Sequence, residues 1–395
     1  MKTRNHLSHV GTVNEVNIIS NGLIDIPMLQ ILDAEGNVVA GANEPQLDKE
    51  TATKIFETMQ FIRILDERMV AAQRQGRISF YLASRGEEGS TVASAAALKD
   101  VDMIMSQYRE QGALAYRGYT TEQFMNQMFS NEREPNKGRQ MPIHYGAKEL
   151  NFMTISSPLG TQIPQASGYA YGQKMAGEEA VTICYFGEGA ASEGDFHAGL
   201  NMAAVLNCPV IFFCRNNGYA ISTPAEEQFA GDGIASRGLG YGVKTIRVDG
   251  NDVLAVYAAT QKAREIALKE NCPVLIEAMT YRLAAHSTSD DPTGYRSREE
   301  EEKWEKLDPI ARMASWLAAK GWLDEEKNKK QQDEIRQEVL QELKRVEKVP
   351  VCKIEEIVED VYDEVPWHLQ EQLDDLKEHI KKYPDAYPKT SGRIS

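Results

Sequence analysis

The 395-residue chain carries 44 Lys and Arg against 59 Asp and Glu, a formal net charge of −15. This acidic balance, without a basic stripe, argues against nucleic acid or an anionic membrane as the main partner. No stretch approaches the roughly 18 consecutive apolar residues of a membrane span. With 42% hydrophobic residues, the chain can bury a substantial core in one large or two ordinary domains.

Residues 1–50 alternate short apolar patches with Gly, Asn and Pro, which predicts an extended arm with a hairpin near 34–37. The start is basic, contains no acidic residue before Glu15 and lacks an apolar signal core. A transit-peptide remnant and an ordinary bacterial start both remain open. The short length favours the second and a cytoplasmic location, with the mitochondrial matrix expected if the source is eukaryotic.

A long helix is predicted over 48–75. Apolar residues recur there at helical spacing, at Ile55, Met59, Ile62, Leu65 and Met69. The region 131–151 has no strong period and is expected to be a loop.

The middle of the chain alternates strand-like and helix-like segments. Short apolar runs lie at 181–186, 210–214, 244–248 and 274–279, with helical stretches at 193–206 and 252–269. This alternation predicts an α/β fold in which a parallel sheet is flanked by helices. Ligands of such sheets bind beyond the carboxyl ends of the strands, where Glu188 and Asn217 fall.

The C-terminal part changes to charged helices. One is expected to start at the run Glu299 to Glu302, and another covers 367–382. Between them, an apolar stripe predicts a long helix, with members Ile335, Val339, Leu343 and Val346. We therefore divide the chain into an arm (1–50), an α/β domain (51–330) and a helical tail (331–395).

The five cysteines, Cys184, Cys208, Cys214, Cys272 and Cys352, form no C-x-x-C pair. Free buried thiols in a reducing compartment are the simplest interpretation, ahead of a disulfide framework or a zinc site. Nothing nearby is expected to lower a thiol pKa, which argues against a catalytic cysteine.

One carboxylate, Glu188, stands between two glycines at the end of a predicted buried strand. It could belong to a polar strand-to-helix turn, with Glu193 and Asp195 supplying charge at the helix start. Alternatively it is a metal ligand. Asn217 follows 29 positions later at a second strand end, and a carboxylate, an amide oxygen and a carbonyl from the next turn would suit Mg2+ bridged to a diphosphate.

Several stretches together resemble a known family. They are GRISFYL (76–82), QYRE (107–110), ISSPLGTQ (155–162), GEGAASEGD (187–195), FCRNNGYAIS (213–222) and HSTSDD (286–291). These motifs resemble the alpha subunit of branched-chain 2-oxo acid dehydrogenase, a thiamine diphosphate-dependent family, from about 46 to 295. The resemblance implies the diphosphate-binding half of a thiamine diphosphate-binding fold.

The resemblance also implies roles for individual residues. Glu188, Asn217 and the Tyr219 carbonyl would bind Mg2+, and His286 would be catalytic. The residues implied to contact thiamine diphosphate are Tyr108, Arg109, Ser157, Leu159, Gly189, Ala190, Arg215 and His286. Those implied to surround a structural monovalent cation, such as K+, are Ser156, Pro158, Thr161 and Gln162.

Simpler interpretations compete with these roles. Arg109 and Arg215 could be ordinary ion-pair residues, and Leu159 could be core. His286 is expected on an exposed loop at the active end of the sheet, where a group titrating near neutrality could move protons. The sequence supports a functional role for His144 and His197 less strongly, and we expect a packing or surface position for His197.

The resemblance implies oxidative decarboxylation of branched-chain 2-oxo acids, with acyl transfer to a lipoyl group on an acyltransferase core. The chain has no recognisable second sheet unit for the aminopyrimidine, so a beta subunit in an alpha2-beta2 heterotetramer is expected. In mitochondrial relatives the serine matching Ser287 is phosphorylated. Phe80 and Tyr81 are expected to line an apolar acyl pocket.

Two other functions remain open. The alpha subunit of pyruvate or acetoin dehydrogenase usually has an aspartate where Glu188 stands, and lacks the ISFYL run. A non-catalytic assembly subunit would need neither metal nor diphosphate ligands. Metal-dependent cofactor binding would distinguish an enzyme from a non-catalytic assembly subunit. A substrate panel would distinguish a branched-chain enzyme from a pyruvate or acetoin dehydrogenase.

Overall fold

A six-stranded, all-parallel sheet organises the chain, with strand order β1-β7-β8-β4-β3-β2. The computed structural model describes residues 14–16 and 26–387. A separate antiparallel hairpin, β5-β6, follows the fourth strand. The strands are β1 Met28–Leu29, β2 Met103–Met105, β3 Thr182–Gly187, β4 Val210–Asn216, β5 Tyr219–Ala220, β6 Thr223–Pro224, β7 Lys244–Asp249 and β8 Val274–Met279.

Helices cover both faces of this sheet and form the tail. They are α1 Lys49–Arg74, α2 Glu88–Ala96, α3 Gln111–Tyr116, α4 Thr121–Met128, α5 Gln162–Ala176, α6 Gly194–Leu206, α7 Ala225–Gln228, α8 Ala235–Gly240, α9 Val253–Glu270, α10 Arg298–Glu305, α11 Pro309–Ala319, α12 Glu325–Val346, α13 Glu356–Glu359 and α14 Trp367–Lys382. The predicted α/β fold with a flanked parallel sheet is therefore confirmed.

The long predicted elements are confirmed to within a residue or two. The helix predicted over 48–75 is α1, and Asp48 caps it by accepting a hydrogen bond from Thr51 N at 2.8 Å. The apolar stripe of α12 is buried at Val339, Leu343 and Val346, and it packs on α1 and α4. The expected loop over 131–151 contains only a short 3-10 turn, Lys148–Leu150.

The predicted arm joins the main sheet, which the sequence did not indicate. Its segments 1–13 and 17–25 lie outside the described residues, but β1 pairs in parallel with β7. Asp252 connects the segment after β1 to α9. One of its carboxylate oxygens caps α9, and the other accepts hydrogen bonds from the N–H groups of Ile31 and Leu32 at 2.6 Å. The expected hairpin is present as a turn closed by the Leu32–Val38 bridge. The three-part domain division stays a prediction.

All five cysteines are free thiols, and Cys184, Cys208 and Cys214 are buried. Burial raises the pKa of Cys184 and Cys214 well above the usual thiol range. Within the described part of the chain, no helix combines the length and apolar character needed to cross a membrane.

Candidate active site

The end of β3 and the end of β4 bring the two predicted metal-binding segments together. The strands are adjacent and parallel, with Gly187 opposite Arg215, so the residues that follow them emerge at one edge of the sheet. A pocket of about 440 Å³ lies there. Larger grooves of about 630 and 740 Å³ lie along α12 and at the opposite ends of the strands, but they contain none of the predicted site residues.

The pocket collects every residue predicted to contact thiamine diphosphate or Mg2+. Its walls include Tyr108, Arg109, Ser157, Leu159, Glu188, Gly189, Ala190, Arg215, Asn217, Tyr219 and His286. These residues come from five separate stretches of the chain.

Glu188 is held as an incompletely satisfied buried carboxylate. Only 1% of the residue is exposed, and burial raises its pKa above the usual carboxyl range. Its Oε2 accepts from Asn217 N at 3.2 Å, whereas its Oε1 is buried and has no hydrogen-bond partner among the residues that the structure describes. A buried ionised oxygen without a partner is costly, and a cation would satisfy it, so this donor set fits Mg2+.

The turn after β4 presents further oxygen atoms. Asn217 is buried, and its Oδ1 accepts from Tyr219 N at 3.1 Å while retaining a second lone pair. Gly218 in this turn has a φ of +82°, a conformation that favours glycine. A Cβ on Gly189 would lie 2.7 Å from the Cβ of Ala220, so glycine permits the close approach of the two turns.

Three arginines, Arg109, Arg215 and Arg282, line the pocket, and two of them carry positive charge without a paired carboxylate among the described residues. Arg215 is nearly fully buried and is paired with Glu87 and Glu110, at 2.6 and 2.5 Å. Arg215 is therefore an ion-pair residue, as one interpretation predicted, and its side chain also lines the pocket. Arg109 and Arg282 have no carboxylate within salt-bridge distance among the described residues, which leaves positive charge available to an anion.

His286 lies on the loop after β8, but it is half-buried rather than exposed as expected. Its Nδ1 lies 3.4 Å from Arg109 Nη2 and 3.4 Å from Arg282 Nη1. Burial and these two cations lower the pKa of His286 to about 4. Guanidinium groups only donate hydrogen bonds, so Nδ1 is the acceptor and the neutral ring carries its proton on Nε2.

His144 belongs to the pocket, contrary to the weaker role expected from the sequence. Its Nδ1 lies 3.1 Å from the Pro142 carbonyl, and its Nε2 lies 2.9 Å from Ser157 Oγ. Because a carbonyl only accepts, Nδ1 donates and Nε2 can accept from the serine hydroxyl. His144 thereby orients Ser157. His197 is exposed and bonds to Tyr241 outside the pocket, as expected.

The four residues predicted to bind a monovalent cation remain at the start of α5, beside the pocket. Thr161 Oγ1 donates to the Pro158 carbonyl at 3.0 Å. Gln162 is buried and donates to the Tyr185 carbonyl at 3.0 Å. Ser156 is half-buried. Nothing in these contacts tests the cation, so this site stays a prediction.

An apolar wall closes the outer part of the pocket, formed by Phe80, Leu82, Met141, Ile143, Leu159 and Ile221. Phe80 is therefore placed as expected, but Tyr81 is not. Tyr81 points away from this pocket, is fully buried, and donates to Asp66 at 2.6 Å. Strand-like alternation explains the error, because adjacent side chains leave an extended segment on opposite sides. Tyr81 and Ser287 line a second pocket of about 370 Å³ instead.

Leu159 is not a core residue, because 44% of it is exposed on the pocket rim. We expect Leu159→Ala to leave thermal stability almost unchanged, within about 0.5 kcal/mol, as is usual for exposed positions. If the bound ligand covers this side chain, its affinity for the variant should be about tenfold lower than for the wild type. This corresponds to a loss of about 1.4 kcal/mol of apolar contact. Calorimetric titration with thiamine diphosphate, on the chain copurified with the expected beta subunit, measures the affinity.

Leu239→Ala is the matched control, since Leu239 is 49% exposed and lies outside the pocket. Equal affinity in the two variants would show that the ligand does not touch Leu159.

The chain was compared with known proteins. The model of the family described as "Dehydrogenase E1 component" matches residues 56–355. The human protein named "2-oxoisovalerate dehydrogenase subunit alpha, mitochondrial" is 52% identical over 369 residues, covering 93% of this chain and 83% of its own. The Caenorhabditis elegans protein of that name is 53% identical, with coverage of 92% and 84%. The "2-oxoisovalerate dehydrogenase subunit alpha 1, mitochondrial" of Arabidopsis thaliana is 49% identical, with coverage of 92% and 77%.

Proposed function

This chain belongs to the dehydrogenase E1 component family, and from that premise we propose that it is the alpha subunit of a branched-chain 2-oxo acid dehydrogenase. With a beta subunit, it decarboxylates branched-chain 2-oxo acids oxidatively and transfers the acyl group to a lipoyl group of an acyltransferase core. The observation that carries this proposal is the unpartnered Oε1 of buried Glu188, at the floor of a pocket with cationic and apolar walls.

The residues of the pocket divide between the parts of the cofactor. Glu188, Asn217 and the Tyr219 carbonyl hold Mg2+, and Tyr108, Arg109 and Arg215 hold the diphosphate. Ser157, Leu159, Gly189 and Ala190 line the remaining surface of the cofactor site. Thiamine diphosphate, when bound, supplies the electron sink for decarboxylation that amino acid side chains lack.

His286 is the chain's own proton-handling group. Its low pKa keeps the ring neutral near pH 7, and the proton on Nε2 is available for donation to a reacting oxygen. A bound anion next to Arg109 and Arg282 would offset their charge and move this pKa back toward its ordinary value. The same two arginines hold the ring in place, because Arg109 also donates to the His286 carbonyl.

The site on this chain covers only part of the cofactor. In residues 14–16 and 26–387, the six-stranded sheet is the one parallel sheet, and no second unit is present there to hold the aminopyrimidine. We therefore propose a beta subunit that completes the site in an alpha2-beta2 heterotetramer, with K+ bound near Thr161. The proposed location follows the source: the mitochondrial matrix in a eukaryote, or the cytoplasm in a bacterium.

A panel of 2-oxo acids tests the substrate class. We expect the chain, copurified with its beta subunit, to favour 3-methyl-2-oxobutanoate over pyruvate by at least about tenfold in kcat/KM. The reason is the apolar wall around Phe80 and Leu82, since one methylene in such a pocket is worth about 1–3 kcal/mol. Cross-reactivity among short branched acids is expected for the same reason.

The same preparation separates the alternatives. Preference for pyruvate or acetoin would replace the branched-chain assignment with that of a related alpha subunit. Failure of the pair to bind thiamine diphosphate with Mg2+ would leave a non-catalytic assembly subunit. Dependence of binding on Mg2+ is measured by calorimetry with and without a chelator.

A further inference from the structure

A second buried carboxylate lies beneath the pocket without lining it. Glu87 immediately precedes α2 and is 0% exposed. Its Oε1 accepts from Arg215 Nη1 at 2.6 Å and from Asn217 Nδ2 at 3.3 Å. Its Oε2 is buried, and none of the described residues forms a hydrogen bond with it. The sequence showed no signal for this residue.

We infer that Glu87 is a positioning residue that selects which atom of the Asn217 amide faces the cation. This inference rests on the proposed function, in which Asn217 is a Mg2+ ligand. A carboxylate only accepts hydrogen bonds, so the NH2 group of the amide must turn toward Glu87. Oδ1 then points away from Glu87, next to the Tyr219 N–H that it accepts from.

The opposite orientation of the Asn217 amide is disfavoured by two neighbours, Glu87 and the Tyr219 N–H. It would place Oδ1 against a buried negative charge, and it would place the NH2 group against the Tyr219 N–H. Glu87 also neutralises part of the charge on Arg215, which Glu110 pairs from the other side. Glu110 in turn accepts from the backbone N–H groups of Gln107 and Tyr108 at 2.9 and 3.0 Å. The metal-binding turn and the diphosphate-binding turn are thereby joined through buried Arg215.

A reciprocal exchange of the two side chains tests the inference. Asn217→Asp alone sets a carboxylate against Glu87 and removes the NH2 donor. We expect the Mg2+ concentration for half-maximal thiamine diphosphate binding to rise by about 10- to 100-fold, as when outer contacts of metal ligands are lost. Adding Glu87→Gln supplies a new NH2 donor, and the double variant should return to within about threefold of the wild type.

Glu87→Gln alone removes the negative charge that disfavours the opposite orientation, although its amide oxygen can still accept from Asn217, so we expect the Mg2+ midpoint to rise by about three- to tenfold. The full chain with its beta subunit is titrated with Mg2+ at constant thiamine diphosphate, and bound cofactor is measured by equilibrium dialysis, so no turnover is needed. A purely structural role for Glu87 would lower Tm in the variants without moving the Mg2+ midpoint.

The inference is overturned if Asn217→Asp alone titrates like the wild type, or if Glu87→Gln fails to restore it. Should Asn217→Asp not fold, recovery of the folded state in the double variant supports the contact, and continued misfolding overturns it. Failure of the proposed function looks different, since the wild type itself would then show no Mg2+-dependent binding.

Discussion

Glu188→Ala is expected to abolish Mg2+-dependent retention of thiamine diphosphate, with a loss of at least about 100-fold in affinity. The reason is that Glu188 would be the negatively charged one of the three proposed protein ligands, while Asn217 and Tyr219 supply neutral oxygens. Removing an ionic ligand costs several kcal/mol of binding, and about 2.7 kcal/mol already corresponds to 100-fold. Calorimetric titration of the chain copurified with its beta subunit, with thiamine diphosphate in Mg2+ and in chelator, measures the change.

The fold should survive this substitution. Because burial raises the pKa of Glu188, the folded state binds its proton more tightly than the unfolded state does. The free energy of unfolding therefore falls as pH rises from the ordinary carboxyl pKa to the raised pKa of Glu188. Above the raised pKa, the loss of stability is complete. Glu188→Gln removes that penalty, so without metal its Tm at neutral pH should equal or exceed that of the wild type.

Glu179→Ala is the matched control, since Glu179 is an exposed carboxylate just before β3, at the other end of the same strand. It should bind cofactor like the wild type. If Glu188→Ala also retained wild-type affinity, the metal-ligand assignment would be wrong and Glu188 would be only a polar turn residue.

The sequence predicted the features that depend on local pattern. β3 and β4 are continuous apolar runs, and Glu188 and Asn217 follow them directly, so strand position and site position could be read together. The resemblance to the alpha subunit of branched-chain 2-oxo acid dehydrogenase was confirmed by the family match and by the relatives. That resemblance also led to Tyr108 and Ser157, which local pattern alone would not identify.

The contacts that support the site could not be predicted in the same way. Glu87 meets Asn217 across 130 positions, and Glu110 meets Arg215 across 105, so no local period marks either carboxylate. His144 lies in a stretch without periodicity, where a lone histidine is usually structural. β1 is only two exposed residues long, and its pairing with β7 depends on a tertiary contact through Asp252.

One face of α5 is not covered by any of the described residues, and we propose that the second subunit binds there. Gly168 and Gly172 lie one turn apart in α5, and a Cβ at either position would meet nothing within 4 Å. The two packed helices α5 and α6 also carry exposed apolar side chains, including Met175 at 67% and Val205 at 64%. Glycine inside a helix costs about 1 kcal/mol relative to alanine, a cost that the isolated chain does not explain but that close packing of a partner would.

We therefore expect Gly172→Leu to prevent association with the beta subunit while leaving the isolated chain at least as stable. A leucine side chain would fill the space that the partner needs, and even a modest overlap in a packed interface costs about 1–3 kcal/mol or more. Lys329→Leu, on the exposed side of α12, adds the same side chain away from this face and should leave assembly intact. Size-exclusion chromatography of the coexpressed subunits measures assembly.

Loss of assembly should remove activity, because the described residues offer the diphosphate and metal ligands but no second parallel sheet that would hold the aminopyrimidine. The pure chain should neither decarboxylate a 2-oxo acid nor bind thiamine diphosphate tightly, and adding the beta subunit should restore both. A cofactor at a subunit junction loses many of its contacts when one partner is missing, and the uncovered apolar face of α5 and α6 should promote self-association. Steady decarboxylation of a branched 2-oxo acid by the pure chain, with no second subunit detectable by mass spectrometry, would contradict this and place the activating acid within the alpha chain itself.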